Sequence, residues 1–136
     1  MWLESGLNSI LLRLVVDLDL TRLFKQFDGI VEFAALSAIF EEGAQGDCMY
    51  VLLEGEVTIS INGTDIWQLR AGEIFGEMAL IDHRPRSATA TARTSVRVAR
   101  IDDARFMFMV QQTPFFSLHV MRVMANRLRA MDETIS

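Results

Sequence analysis

From Ala38 to Arg70, apolar and β-branched runs are cut repeatedly by Glu42-Gly43, Gln45-Gly46-Asp47, Glu54-Gly55-Glu56 and Asn62-Gly63. Segments this short and this regularly punctuated argue for an antiparallel sandwich or barrel rather than a parallel sheet. Asn62-Gly63 is the sharpest of these signals. Both residues tolerate positive φ, so the pair predicts a tight hairpin joining Val57–Ile61 to 65–69. Met49 to Leu53 is apolar throughout, as a strand covered on both faces would be. Further along, Ala88, Ala90 and Ala92 alternate with Thr89, Thr91 and Arg93. After a turn at Thr94-Ser95, Val96 to Ile101 reads as another strand.

Between these strand regions lies IFGEMALIDHRPRSATATA, Ile74 to Ala92. Gly76 directly precedes an acid and a short helix-forming run, and a glycine there permits a conformation closed to other residues. The helical turn that follows would present free N–H groups, which suit an anion. Pro85 stiffens the chain before Arg86, whose planar fork of donors matches a phosphate, and Ser87 adds a hydroxyl beside it. A carboxylate, a guanidinium and a helix N-terminus in so short a span suit a ligand carrying sugar hydroxyls and a phosphate.

The stretch FGEMALIDHRPRSATATA strongly resembles the phosphate-binding cassette of cyclic nucleotide-binding domains. That family includes regulatory subunits of cyclic-AMP-dependent kinase, the bacterial catabolite activator and cyclic-nucleotide-gated channels. Upstream, IFEEGAQGDCMYVLLEGEVTI resembles the family's opening strands, so the likeness runs from about Asp28 to Met131. It departs from the family before Ala38. Only Val31 to Ser37 separates LFKQFDGI from AIFEEG, which implies an abbreviated N-terminal helical region.

The resemblance implies a mainly β fold with flanking helices (α+β). It would be an antiparallel β-roll of jelly-roll character with an N-terminal helix and two C-terminal helices. The expected division is a helical segment at 1–27 and a cyclic nucleotide-binding domain at 28–136, with the roll at 28–101 and closing helices at 102–134. Glu77 would accept from the ribose 2′-hydroxyl, since an ionised carboxylate is a strong acceptor. Arg86 would pair with the charged phosphodiester. Phe75, Gly76, Met78, Ala79, Ser87 and Ala88 would complete the ligand site through backbone N–H groups and close approach. For Met78, ordinary packing is an equal alternative. Serine at position 87 leaves the base open, and cyclic AMP is favoured over cyclic GMP. Arg127 and Arg129 are candidates for capping the base from the last helix, against the alternative of a solvated face. The implied function is a regulatory sensor that binds a 3′,5′-cyclic nucleotide and moves its closing helices. The alternative is an interaction module of the same fold with weak or no nucleotide affinity.

The flanks read as helical. Leu7, Ile10, Leu11, Leu14 and Leu18 recur in helical spacing, predicting an N-terminal helix packed on the barrel. Asp102 and Asp103 mark the start of a helix that Thr113-Pro114 ends. On the final helix, Leu118, Met121, Ala125 and Leu128 form the expected apolar stripe, flanked by Val120, Met124 and Met131. Arg122, Asn126, Arg129 and Glu133 form its polar face.

Composition removes other classes. A chain of 136 residues with half its residues apolar supports one packed domain. A formal charge of −5 argues against general nucleic-acid affinity, and little chain follows the last helix to build a DNA reader, so no DNA partner is expected. Cys48 is the single cysteine, so no internal disulfide can form. His83 and His119 stand far apart, without the ligand cluster that a metal-dependent cupin enzyme would need; no metal, cofactor or catalysis is expected. No stretch reads as a signal peptide or membrane span, so a cytoplasmic protein off the membrane is expected, with a homodimer plausible from its apolar helices.

Overall fold

The structure, a computed structural model, describes Phe24 and residues 27–135. The expected helix within 1–27 lies outside those residues. Eight strands follow in order: β1 (Ile30–Phe33), β2 (Ala38–Phe40), β3 (Cys48–Glu54), β4 (Val57–Ile61), β5 (Thr64–Leu69), β6 (Ile74–Phe75), β7 (Thr89–Ala92) and β8 (Val96–Asp102). A short helix α1 (Glu77–Asp82) interrupts them between β6 and β7, and α2 (Asp103–Gln112) and α3 (Pro114–Ile135) come last.

The strands form two four-stranded sheets, ordered β1-β8-β3-β6 and β2-β7-β4-β5, with every pairing antiparallel. Pairing strands so distant in sequence wraps the chain as a jelly roll. The β4–β5 hairpin closes through Asn62 (φ 52°) and Gly63 (φ 81°), as the Asn-Gly pair predicted.

Two cores result, and β3 belongs to both. Tyr50 and Leu52 face the gap between the sheets, where they meet Val57, Leu69, Phe75, Ala90, Ala92, Val96 and Val98. Met49 and Val51 face the helices and pack with Ile74, Leu80, Ala99, Ile101, Met109, Phe116 and Val120. The uninterrupted apolar run of β3 is therefore the signature of a strand covered on both sides.

Asp102 caps α2, its side chain accepting from the Arg105 N–H at 2.9 Å. The face of α3 that meets the barrel differs from the expected stripe. Phe116 and Val120 are buried, with Val123 and Met124 packed beside them, whereas Met121 and Leu128 are exposed. The helix is rotated so that its two-turn repeat of Phe116, Val120, Val123 and Arg127 faces the roll. Met131 and Glu133 lie beyond the side chains described. Among the described residues, no helix is long and apolar enough to cross a membrane.

Candidate ligand-binding site

The cassette begins where β6 ends. Gly76 takes a left-handed conformation (φ 76°, ψ 11°) as the N-cap of α1, with no side chain capping the helix start. A side chain there would be strained, and its Cβ would fall 2.6 Å from Arg86 Nη1. The turn aims Glu77 inward, where the residue is only 1% exposed.

Arg86 arrives from the other end of the cassette and is 6% exposed. Its Nη1 donates to Gly76 O at 2.8 Å, and its Nη2 donates to Cys48 O at 2.9 Å and approaches Cys48 Sγ at 3.5 Å. Its guanidinium carbon lies 4.2 Å from the centre of the Phe40 ring. The backbone of Arg86 is tied to the β2–β3 connection in both directions: Arg86 N–H donates to Ala44 O and Gly43 N–H donates to Arg86 O, each at 2.8 Å. Gly46 completes the cradle, since a Cβ there would stand 2.6 Å from Arg86 Cζ and 2.7 Å from the Ala79 Cβ.

The two charged residues of the cassette are not paired with each other. Glu77 Oε1 is held by Arg127 Nη1 of α3, whose Nη2 also donates to Ile74 O at 2.6 Å. Among the described residues, buried Glu77 Oε2 has no hydrogen-bond partner, and neither has Arg86 Nε. Among the described residues no carboxylate forms an ion pair with Arg86. Asp47, which lies between Gly46 and Cys48 in sequence, is engaged by Arg100 at 3.1 Å. Among the described residues, the site thus carries an acid paired with Arg127 through one oxygen, with its other oxygen open, beside a cation that no carboxylate pairs. Buried polar groups left open in this way are costly unless something else fills them.

The expected site residues are brought together. Phe75 and Ala79 are buried beneath the cradle, Ala88 is buried at the entry to β7, and Ser87 and Met78 are exposed on the cassette. Tyr50 lies under the same aromatic layer, stacked on Phe75 with centroids 5.3 Å apart. Burial, with the Cys48 thiol beside it, pushes its pKa up to about 12. Sequence reasoning missed Phe40, Gly46 and the Cys48 carbonyl, because nothing local marks residues that meet Arg86 across some forty positions. Arg127, weighed from the sequence as a cap on the base or part of a solvated face, holds Glu77, a contact that reading did not give it; it stands seven residues after Val120, on the barrel-facing side of α3.

A family model described as cyclic nucleotide-binding domain matches residues 30–113, which takes in both halves of this cradle. The chain belongs to the cyclic nucleotide-binding domain family. Among relatives of this domain, a cAMP-dependent protein kinase regulatory subunit from Aspergillus fumigatus is 41% identical over 73 residues, 52% of this chain and 18% of that protein. A CRP-like cAMP-activated global transcriptional regulator from Mycobacterium tuberculosis is 29% identical over 111 residues, 78% of this chain and 50% of that protein. The domain thus spans half or less of the length of these curated relatives. The crystal structure of Thermus thermophilus catabolite activator protein superposes with a TM-score of 0.74 at 25% identity, covering 88% of this chain and 57% of that one.

Proposed function

We propose that this domain binds a 3′,5′-cyclic nucleotide, cyclic AMP in preference to cyclic GMP, and acts as a regulatory module without catalysis of its own. The observation that carries this reading is the juxtaposition of two open buried groups: among the described residues, Glu77 Oε2 is an acceptor without a donor and Arg86 a cation without a carboxylate. A ribose hydroxyl would satisfy the first and a singly charged phosphodiester the second. Phe75, Gly76, Met78, Ala79, Ser87 and Ala88 would frame the ligand through backbone N–H groups and close approach, with no metal required. The names of the kinase regulatory subunit and the cAMP-activated regulator support cyclic AMP as the first ligand to try.

The output would travel through α3, because Arg127 ties that helix to the same carboxylate. Isothermal titration calorimetry with cyclic AMP and cyclic GMP, on wild type and Arg86→Ala, tests the reading. Charge-assisted bonds contribute on the order of 1.5–3 kcal/mol, so the variant is expected to bind roughly 10- to 150-fold more weakly. Absence of heat with either nucleotide, on folded and ligand-free wild type, would refute it and leave the fold as a protein-interaction module.

A further inference from the structure

A guanidinium buried to this degree needs something to hold it still. A carboxylate would do so, but it would also neutralise the charge and compete with an incoming anion. Here the holding groups are uncharged: two backbone carbonyls, a thiol sulfur and an aromatic face. The face belongs to Phe40, at the end of β2, and it is itself fixed. Its ring lies 6.1 Å from Tyr50 and 6.0 Å from Phe75, and those two stack on each other at 5.3 Å. Tyr50 backs the guanidinium more distantly, at 5.9 Å. Phe75 and Tyr50 are anchored in the inter-sheet core, so the shelf moves only if the roll itself moves.

We propose that Phe40 is a positioning residue for Arg86, an aromatic shelf that orients the guanidinium in advance while leaving its positive charge uncompensated. The ring quadrupole attracts the cation across its face without supplying a proton acceptor or a formal charge. Orientation ahead of binding removes an ordering cost that a free arginine side chain would otherwise incur as the ligand arrives. This rests on the reading that Arg86 receives the phosphodiester.

The test uses Phe40→Leu, which keeps the bulk and loses the face, and Phe40→Tyr, which keeps both. Cyclic AMP affinity is expected to fall about three- to thirty-fold in Phe40→Leu, and to stay within about twofold of wild type in Phe40→Tyr. A second readout needs no ligand. The Arg86 Nε–Hε resonance, identified by its loss in Arg86→Lys, should be displaced by the ring current in wild type and Phe40→Tyr and return toward the random-coil position in Phe40→Leu. Unchanged affinity in a folded Phe40→Leu, or an Arg86 resonance indifferent to the ring, overturns the proposal. Should wild type bind no cyclic nucleotide, the functional reading fails, and the resonance alone decides whether Phe40 orients Arg86.

Discussion

Arg86 and Gly46 lie forty positions apart, yet each limits what the other can be. The cradle at Gly46 leaves no volume for a methyl group, with Arg86 Cζ at 2.6 Å and the Ala79 Cβ at 2.7 Å from where it would stand. Gly46 has no positive φ, so the conformation itself tolerates alanine; only the space does not. Gly46→Ala must therefore push the guanidinium off Cys48 O and Gly76 O or shift the β2–β3 connection. The expected result is a loss of cyclic nucleotide affinity comparable with that of Arg86→Ala, with the roll still folded. Calorimetry alongside circular dichroism checks this, and an affinity within twofold of wild type would show that the cradle is looser than the distances imply. Glu77 and Arg86 were legible in the sequence because their chemistry is carried by a contiguous cassette. Gly46 was legible only as a turn residue, since its contact with Arg86 is created by the pairing of β2 with β7 and the ties that run from Arg86 to Gly43 and Ala44.

Among the elements, the strands were read most directly and α3 least. Strand boundaries follow from turn chemistry, and the hairpin at Asn62-Gly63 and the doubly covered β3 both declare themselves in a few residues. The orientation of α3 does not, because Phe115, Phe116, Leu118, Val120, Met121, Val123, Met124 and Leu128 spread apolar side chains around most of the helix. Periodicity then offers more than one stripe, and packing selects among them. Phe116 wins because it fills the space between Phe24 and Phe106, edge-on to both at 6.1 and 5.9 Å. Phe116→Ala is expected to cost about 3–5 kcal/mol, the range for removing a buried ring. Met121→Ala, on the exposed face, should change stability by less than about 0.5 kcal/mol. Urea unfolding of both variants makes the comparison, and equal costs would mean that the helix packs through the other stripe.

At the scale of the whole molecule, the apolar packing of α3 on the roll is joined by a polar tie, the hold of Arg127 on Glu77 and Ile74 O. Glu77 is buried and Arg127 about a third exposed, so the pair is only partly screened by solvent. Because the guanidinium occupies Oε1 and leaves Oε2 open, a ligand hydroxyl can join the carboxylate without evicting α3. Ligand capture and helix closure should then reinforce each other, and linkage requires the reinforcement to be equal in both directions. Three results are expected from amide hydrogen exchange and calorimetry together. Cyclic AMP should slow exchange along residues 114–130 in wild type. Arg127→Ala should raise exchange there in the ligand-free protein and abolish most of the ligand's effect. The same variant should bind cyclic AMP more weakly, by the factor through which the ligand protects the helix. If cyclic AMP instead loosens α3, or if Arg127→Ala binds more tightly than wild type, then Arg127 competes with the ligand for Glu77. The helix would then be released by binding rather than closed by it.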